Sequence, residues 1–280
     1  MKFGVNTLIW TGAFDRSHLS LLPRLKERGF DGLEIVVFHL KDFPVAETRK
    51  SLEENEMQCT FCTALAADMS GISEDAGARR RARTYLEDCA KTAADLGAKA
   101  FGGAFYAPIG YLPGRRRTQD EWKREVEFLQ SLGDTLTRHD VTLAVEPLNR
   151  FETFFLNTTA DAVRLCEEVN HPKIGVLLDT FHANIEERDV VAAVRTAGPY
   201  LKHVHTCEND RGTPGAGHVP WSGVFQALRD LRYDGWLIIE SFGYTIPEIA
   251  TAACIWRDLA PSPEQIAFDG VKFLRRMAAG

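Results

Sequence analysis

The run VTLAVEPLNRFETFFLNT, residues 141–158, decides how the chain is read. It opens on an apolar stretch, Val141 to Val145, of strand composition, and meets a carboxylate, Glu146, where that strand runs out. Pro147 cannot donate to a sheet ladder, so it closes the strand. Glu152 stands six residues beyond Glu146, with Asn149 and Arg150 between them. Three later apolar runs end the same way: IGVLLD in Asp179, HVHT with His205, and WLIIE in Glu240. Four side chains able to bind a metal thus leave four successive strands at their carboxyl ends.

On both sides of this run, apolar strand-like segments alternate with helical ones along the whole chain. Strands are expected at 2–9, 32–38, 57–65, 98–103, 141–146, 174–179, 202–206 and 236–240. Between them, helical periodicity covers 17–29, about 44–56, 76–97, 119–138, 159–169, about 187–197 and about 221–231. Thr118 and Glu121 stand three apart as a capping box for the helix at 119–138. Thr245 and Glu248 offer the same device for the last helical region, which Pro261 and Pro263 interrupt. Near-continuous apolar strands imply a parallel sheet buried on both faces. Eight such units in 280 residues predict an α/β fold of the (β/α)8 TIM-barrel type. A doubly wound open sheet would carry a glycine-rich nucleotide turn after a strand, and no GxGxxG or GxxxxGK[ST] follows one here. No composition break marks a linker, so residues 1–280 are expected to form a single domain.

Composition narrows the function. Hydrophobic content of 45% and charged content of 26% are those of a soluble globular protein. A net charge of −6 argues against a nucleic-acid partner, which needs a basic surface. No apolar run reaches the ~18 residues of a membrane helix. The segment MKFGVNTLIWTG reads as a first strand rather than a secretion signal. The six cysteines, 59, 62, 89, 166, 207 and 254, are scattered, which indicates reduced thiols and a cytoplasmic location. Cys59 and Cys62 form a CxxC inside a strand, whereas redox CxxC motifs open helices.

Catalytic groups of such barrels sit at the carboxyl ends of the strands. One imidazole with three carboxylates is an oxygen-rich set suited to Mn²⁺, Mg²⁺ or Co²⁺ with open positions, and unsuited to structural zinc. Uncompensated acids crowded at one mouth would repel each other, and a divalent cation resolves that conflict. His203 and His205 share a strand face; the latter lies nearer the exit and is the expected ligand, while His203 is expected to be a satisfied interior histidine. His182, three residues after Asp179, is expected to start a loop. Arg211 lies in the long polar loop ENDRGTPGAGHVPW, where a planar donor set suits a sugar oxygen or an anion. Arg115, Arg116 and Arg117 read as a solvated run. Trp10 and Tyr106, at the exits of strands one and four, are candidate pocket walls. His18, His39, His139, His171 and His218 fall in loops or at helix ends and are given no catalytic role.

Together these motifs resemble the ketose 3-epimerases (the D-tagatose, D-psicose or L-ribulose 3-epimerase type) of the xylose-isomerase-like TIM-barrel superfamily. The resemblance runs nearly end to end. It is carried by EPLNRFETFFLNT (146–158), LDTFHANIEE (178–187), HVHTCENDRGTPGAG (203–217), ESF (240–242) and IWRDL (255–259), and is looser in the N-terminal third. It implies a metal site of Glu146, Asp179, His205 and Glu240 for Mn²⁺, Co²⁺ or Mg²⁺, with Glu146 and Glu240 also the acid/base pair. It implies Glu152, His182 and Arg211 as substrate-holding residues around O1 and O2, and a homodimer or homotetramer acting on a small-molecule sugar. The C3 proton of a ketose is acidified by the C2 carbonyl, and two carboxylates on opposite faces of C3 can remove it and return another. No organic cofactor is needed. Related activities on the same barrel are aldose–ketose isomerisation, of the hydroxypyruvate or rhamnose isomerase kind, and inosose dehydration. A non-catalytic sugar-binding barrel would show an incomplete quartet. An apurinic-endonuclease-like barrel would need histidines between His39 and His139, and there are none.

Overall fold

The computed structural model describes residues 1–280. Eight parallel strands close into a barrel in chain order. They are β1 (Lys2–Asn6), β2 (Gly32–Val36), β3 (Gln58–Cys62), β4 (Ala100–Gly103), β5 (Thr142–Val145), β6 (Ile174–Asp179), β7 (Leu201–His205) and β8 (Trp236–Ile239). The last strand returns to the first with Ile239 opposite Val5, which leaves no sheet edge. Side chains fill the bore and helices cover the outside, so most strand positions are shielded from water and the runs are mainly apolar. Every position of β2, β6 and β8 is buried. The expected fold is therefore the observed one, with one contiguous core of 66 buried apolar residues.

The outer layer contains α1 (Leu21–Glu27), α2 (Val45–Glu54), α3 (Ala76–Leu96), α4 (Gln119–Gln130), α5 (Gly133–His139), α6 (Thr159–Val169), α7 (Thr180–Glu186), α8 (Val190–Ala197), α9 (Trp221–Asp230), α10 (Pro247–Ala252) and α11 (Pro263–Ala279). The long α3 shows how the sequence specifies such an element. Asp75 caps it by accepting from the Gly77 and Ala78 amides, and Ala78, Ala82, Leu86, Cys89, Ala90, Ala93 and Leu96 form its buried stripe. Gly97, in the left-handed region at φ 86°, ends it. The Thr118–Glu121 capping box is formed as expected.

Several expectations change, and the third strand, expected at 57–65, ends at Cys62. The first strand stops at Asn6, because the Asn6 side chain accepts from the Leu8 amide and turns residues 7–9 into a 3₁₀ turn. The helix expected at 119–138 is two helices, α4 and α5: the Ser131 hydroxyl donates back to the Phe128 carbonyl at 2.6 Å, and Gly133 packs against the His171 ring. His182 lies in a helix, α7, not a loop, because Asp179 both ends β6 and caps the next turn through the Phe181 amide. The Thr245–Glu248 cap does not form. Pro247 occupies the first helical position of α10 and moves the cap to Ile246, which has no side-chain acceptor. The interruption near the two later prolines is present, with Pro263 opening α11 behind the Ser262 cap.

Strand register positions the site. Asp179 is opposite His205 between β6 and β7. One level along the first strands, Asn6 is opposite Glu34 and Glu34 is opposite Thr60, which sets a polar row across β1, β2 and β3.

Candidate active site

Glu146 and Glu240 are the first residues beyond β5 and β8; Asp179 and His205 are the last residues of β6 and β7. One ligand atom from each of the four lies within 4.8 Å of the others, and all four residues are buried. His205 Nδ1 faces the carboxylates, 3.7 Å from Glu146 Oε1, 3.9 Å from Asp179 Oδ2 and 3.4 Å from Glu240 Oε2. Glu146 Oε1 and His205 Nδ1 are buried without a hydrogen-bond partner in the protein. Buried polar atoms are rarely left so, and each such atom calls for an explanation. A divalent cation taking one nitrogen and three carboxylates is a partner both atoms can share. The donor set fits such an ion.

Arg211 supplies the local positive charge. Its Nη1 donates to Asp179 Oδ2 at 2.6 Å and to Glu240 Oε2 at 2.7 Å, and lies 2.9 Å from Cys207 Sγ. The guanidinium stacks over Phe181, 4.1 Å from the ring centroid, and is 5% exposed. The backbone at Arg211 is left-handed, at φ 66°, and the Ser241 hydroxyl fixes it by donating to the Arg211 carbonyl. Glu208 organises the loop around it, accepting from the Gly215 and Val219 amides and the Trp221 indole.

The two catalytic candidates are driven apart. Burial, reinforced by the charges of Glu240 and Asp179, raises the Glu146 carboxyl well above the usual range. Burial acts on Glu240 in the same sense, but the charges of His205 and Arg211 outweigh it and hold that carboxyl low. Two carboxyls held at different affinities for the proton are the arrangement that acid–base chemistry uses.

His182 is buried and lies 3.7 Å from both Glu146 Oε1 and Asp179 Oδ2. Its Nδ1 accepts from the Asn149 backbone amide at 3.1 Å. The Asn149 side chain also donates to Glu152 Oε1 at 2.7 Å, so one residue links two of the expected substrate-holding residues. Burial, with Arg211 and His205 adding to it and Asp179 opposing, pushes the His182 imidazole down from 6.5 to about 3. The unfolded chain takes up this proton below about pH 6.5 and the folded chain does not until about pH 3. This contribution to stability is complete above the first value and declines as pH falls toward the second. Measured by denaturant unfolding, the wild type should lose about 2 kcal/mol more stability than His182→Asn between about pH 7.5 and about pH 5. Equal losses in the two proteins would refute the assignment.

The remaining expected site residues are placed as follows. Trp10 is half-buried, with its indole donating to Glu264 Oε1 at 3.1 Å. Tyr106 is 1% exposed, and its hydroxyl donates to the Glu146 carbonyl at 3.1 Å. It therefore braces the Glu146 backbone from behind and presents no free wall. The arginine run is anchored more firmly than a solvated run would be. Arg115 pairs with Glu121, and Arg117 bonds the Phe155 carbonyl and Asp161. A cleft of about 560 Å³ lies between the loops after β3 and β4, but none of the quartet lines it.

One charged residue in the bore went unread in the sequence. Glu34, on β2, is fully buried beneath the quartet, with its carboxylate between His203 and His205. The signal was available: it is the lone charged side chain in the apolar run GLEIVVF, in a strand buried on both faces. The charges of His205 and His203 overcome its burial and keep the carboxyl well below the ordinary value.

Comparison with known proteins adds sequence and structural relatives. The profile of the xylose isomerase-like TIM barrel family matches residues 22–277. A probable ketose 3-epimerase of Synechocystis sp. is 39% identical over 276 residues, covering 99% of this chain and 96% of that protein. A D-psicose 3-epimerase of Agrobacterium fabrum is 34% identical over 93% of this chain and 91% of its own length. The crystal structure of a D-psicose 3-epimerase in the presence of D-fructose superimposes with a TM-score of 0.92 at 31% identity, covering all of both chains. No helix of this chain is long and apolar enough to cross a membrane.

Proposed function

We propose, for a chain that belongs to the xylose isomerase-like TIM barrel family, that it inverts C3 of a ketose as a ketose 3-epimerase. The observation that carries the proposal is the buried quartet, with two of its carboxylates, Glu146 and Glu240, on strands three apart in an eight-strand ring. They reach the mouth from different sides, as removal and return of a proton on opposite faces of one carbon require. Glu146, Asp179, His205 and Glu240 hold a divalent cation, which we take to be Mn²⁺, with Co²⁺ or Mg²⁺ able to replace it. When bound, the cation supplies Lewis-acid stabilisation of the negative charge that develops on the sugar oxygens.

The chain's own residues do the rest. Glu240 takes the C3 proton, and Glu146 returns one to the other face; the reverse reaction exchanges their roles. His182 is neutral and accepts at Nδ1, so its remaining proton is on Nε2. That N–H and Arg211 Nη2 meet at 3.1 Å, donor against donor. A sugar oxygen satisfies both. Glu152, half-buried beside them and raised by burial, accepts from a sugar hydroxyl.

The same reading carries a homodimer or homotetramer working in the cytoplasm. The exposed apolar rim of Ile109, Tyr111, Leu112 and Phe151 supports association, and six free cysteines support a reducing compartment.

Proton NMR in D₂O of free and phosphorylated ketoses with the Mn²⁺-loaded protein tests the reaction. The expected result is loss of the C3 proton signal with growth of the C3 epimer. Exchange at C1 with an aldose appearing, or no exchange with any ketose, overturns it.

A further inference from the structure

We infer that Glu34 is a positioning residue for the metal site: it holds the His205 ring with Nε2 protonated and turned inward, so that Nδ1 is the nitrogen aimed at the cation. The inference rests on the proposed ligand role of His205.

Four side chains from three different strands converge on this carboxylate. Asn6 Nδ2 donates to Oε1 and the Thr60 hydroxyl to Oε2, each at 3.0 Å. His203 Nε2 lies 2.7 Å from Oε2 and His205 Nε2 lies 2.8 Å from Oε1. Asn6 and Thr60 are register neighbours of Glu34 on β1 and β3, so they fix the plane of the carboxylate from either side. The histidines reach it from β7, across the bore. The His203 contact is an aligned hydrogen bond; the His205 contact is as short, but the N–H is bent off its axis.

A fully buried carboxylate is expensive unless paired, and an apolar side chain would fill the bore at lower cost. A purely structural account leaves the direction of His205 unexplained. A neutral imidazole has one donor and one acceptor nitrogen, and whichever partner it meets on one side fixes the other. An anion at Nε2 forces the proton there. Nδ1, 3.4 to 3.9 Å from three carboxylate oxygens and without a protein partner, is then the nitrogen left for the cation, which displaces any proton held there. Ring orientation and ligand basicity in metal sites are commonly set by such outer carboxylates. His203 Nε2 donates to the second oxygen of Glu34, so that carboxylate need not compete with the quartet for the ion.

The test is Mn²⁺ affinity by titration calorimetry without any sugar, on wild type, Glu34→Gln and Thr60→Val. Glutamine is isosteric, but its amide nitrogen donates to one of the two rings and its oxygen accepts more weakly than a carboxylate. Glu34→Gln should weaken Mn²⁺ binding about 10- to 100-fold. Thr60→Val, which removes one hydrogen bond from the carboxylate, should weaken it by a smaller factor in the same direction. ¹⁵N spectra of histidine in the Mg²⁺-loaded protein should show a protected Nε2–H on His205 that Glu34→Gln loses. A Glu34→Gln protein with a lowered melting temperature but affinity within about twofold of wild type overturns the inference, because loss of an orienting carboxylate should cost at least about tenfold. Should that variant fail to fold, unchanged affinity in Thr60→Val overturns it. Wild type that does not bind Mn²⁺ also overturns it, whereas binding without epimerisation leaves it standing and removes only the assigned reaction.

Discussion

Glu240→Gln should lower C3 proton exchange on the preferred ketose by at least about a thousandfold, because two functions leave with one oxygen. The amide cannot take a proton from carbon, and it is a weaker ligand for a hard cation. The site is arranged to keep this group ionised despite its burial, since His205 and Arg211 both bear on it. Arg211 Nη1 approaches Glu240 Oε2 at 2.7 Å, and glutamine can keep that contact through its carbonyl, so the fold should survive. Exchange in D₂O, followed by NMR at saturating Mn²⁺, separates loss of the base from loss of metal. Turnover near that of the wild type would sink the catalytic assignment.

Arg211→Met should destabilise the cation-free protein far more than the loaded one. Without a divalent ion, the guanidinium is the closest cation to Asp179 and Glu240, at 2.6 Å and 2.7 Å. Removing one partner of a buried ionic network typically costs about 3–5 kcal/mol, because the other charges are left uncompensated. In a chain of this size that is a fall in melting temperature on the order of 10 °C. A bound divalent ion supplies the missing charge, so the gap between variant and wild type should narrow to a few degrees, as expected for binding linkage, at saturating Mn²⁺. Melting curves of both proteins in chelator and in Mn²⁺ decide the matter. Equal gaps in the two conditions would mean that the arginine contributes nothing specific to the ion's place.

The barrel was legible because most of the eight strands are short, mainly apolar runs bounded by turn residues, and parallel strands buried on two faces leave that mark. The quartet was legible because each member ends such a run. Other features were hidden for local reasons. No break separates β6 from α7, since Asp179 serves both, so TFHANIE reads as a loop. The break between α4 and α5 depends on a serine hydroxyl folding back on its own helix and on Gly133 packing against His171, a partner distant in the chain. Thr245 and Glu248 have the spacing of a capping box, but a proline at the first helical position outweighs it. Glu34 was hidden for a different reason. Its partners His203 and His205 lie 169 or more residues away in the chain, and pairing over that distance exists only once the barrel closes.

A carboxylate that reaches across the bore from β2 to β7 also constrains how this barrel can change. The proposed ligand quartet comes entirely from the last four strands, so the first four could be taken for an exchangeable shell. Their outward loops are free in that way; the strand beneath them is not. A chimera that borrowed its first half from a barrel with an aliphatic residue at this position would close and pack. It would inherit a ligand histidine with nothing to decide which nitrogen faces the metal. Recombination between members of this fold is therefore expected to succeed at the rims and to fail silently at the floor, in proteins that are folded but poor at holding their ion.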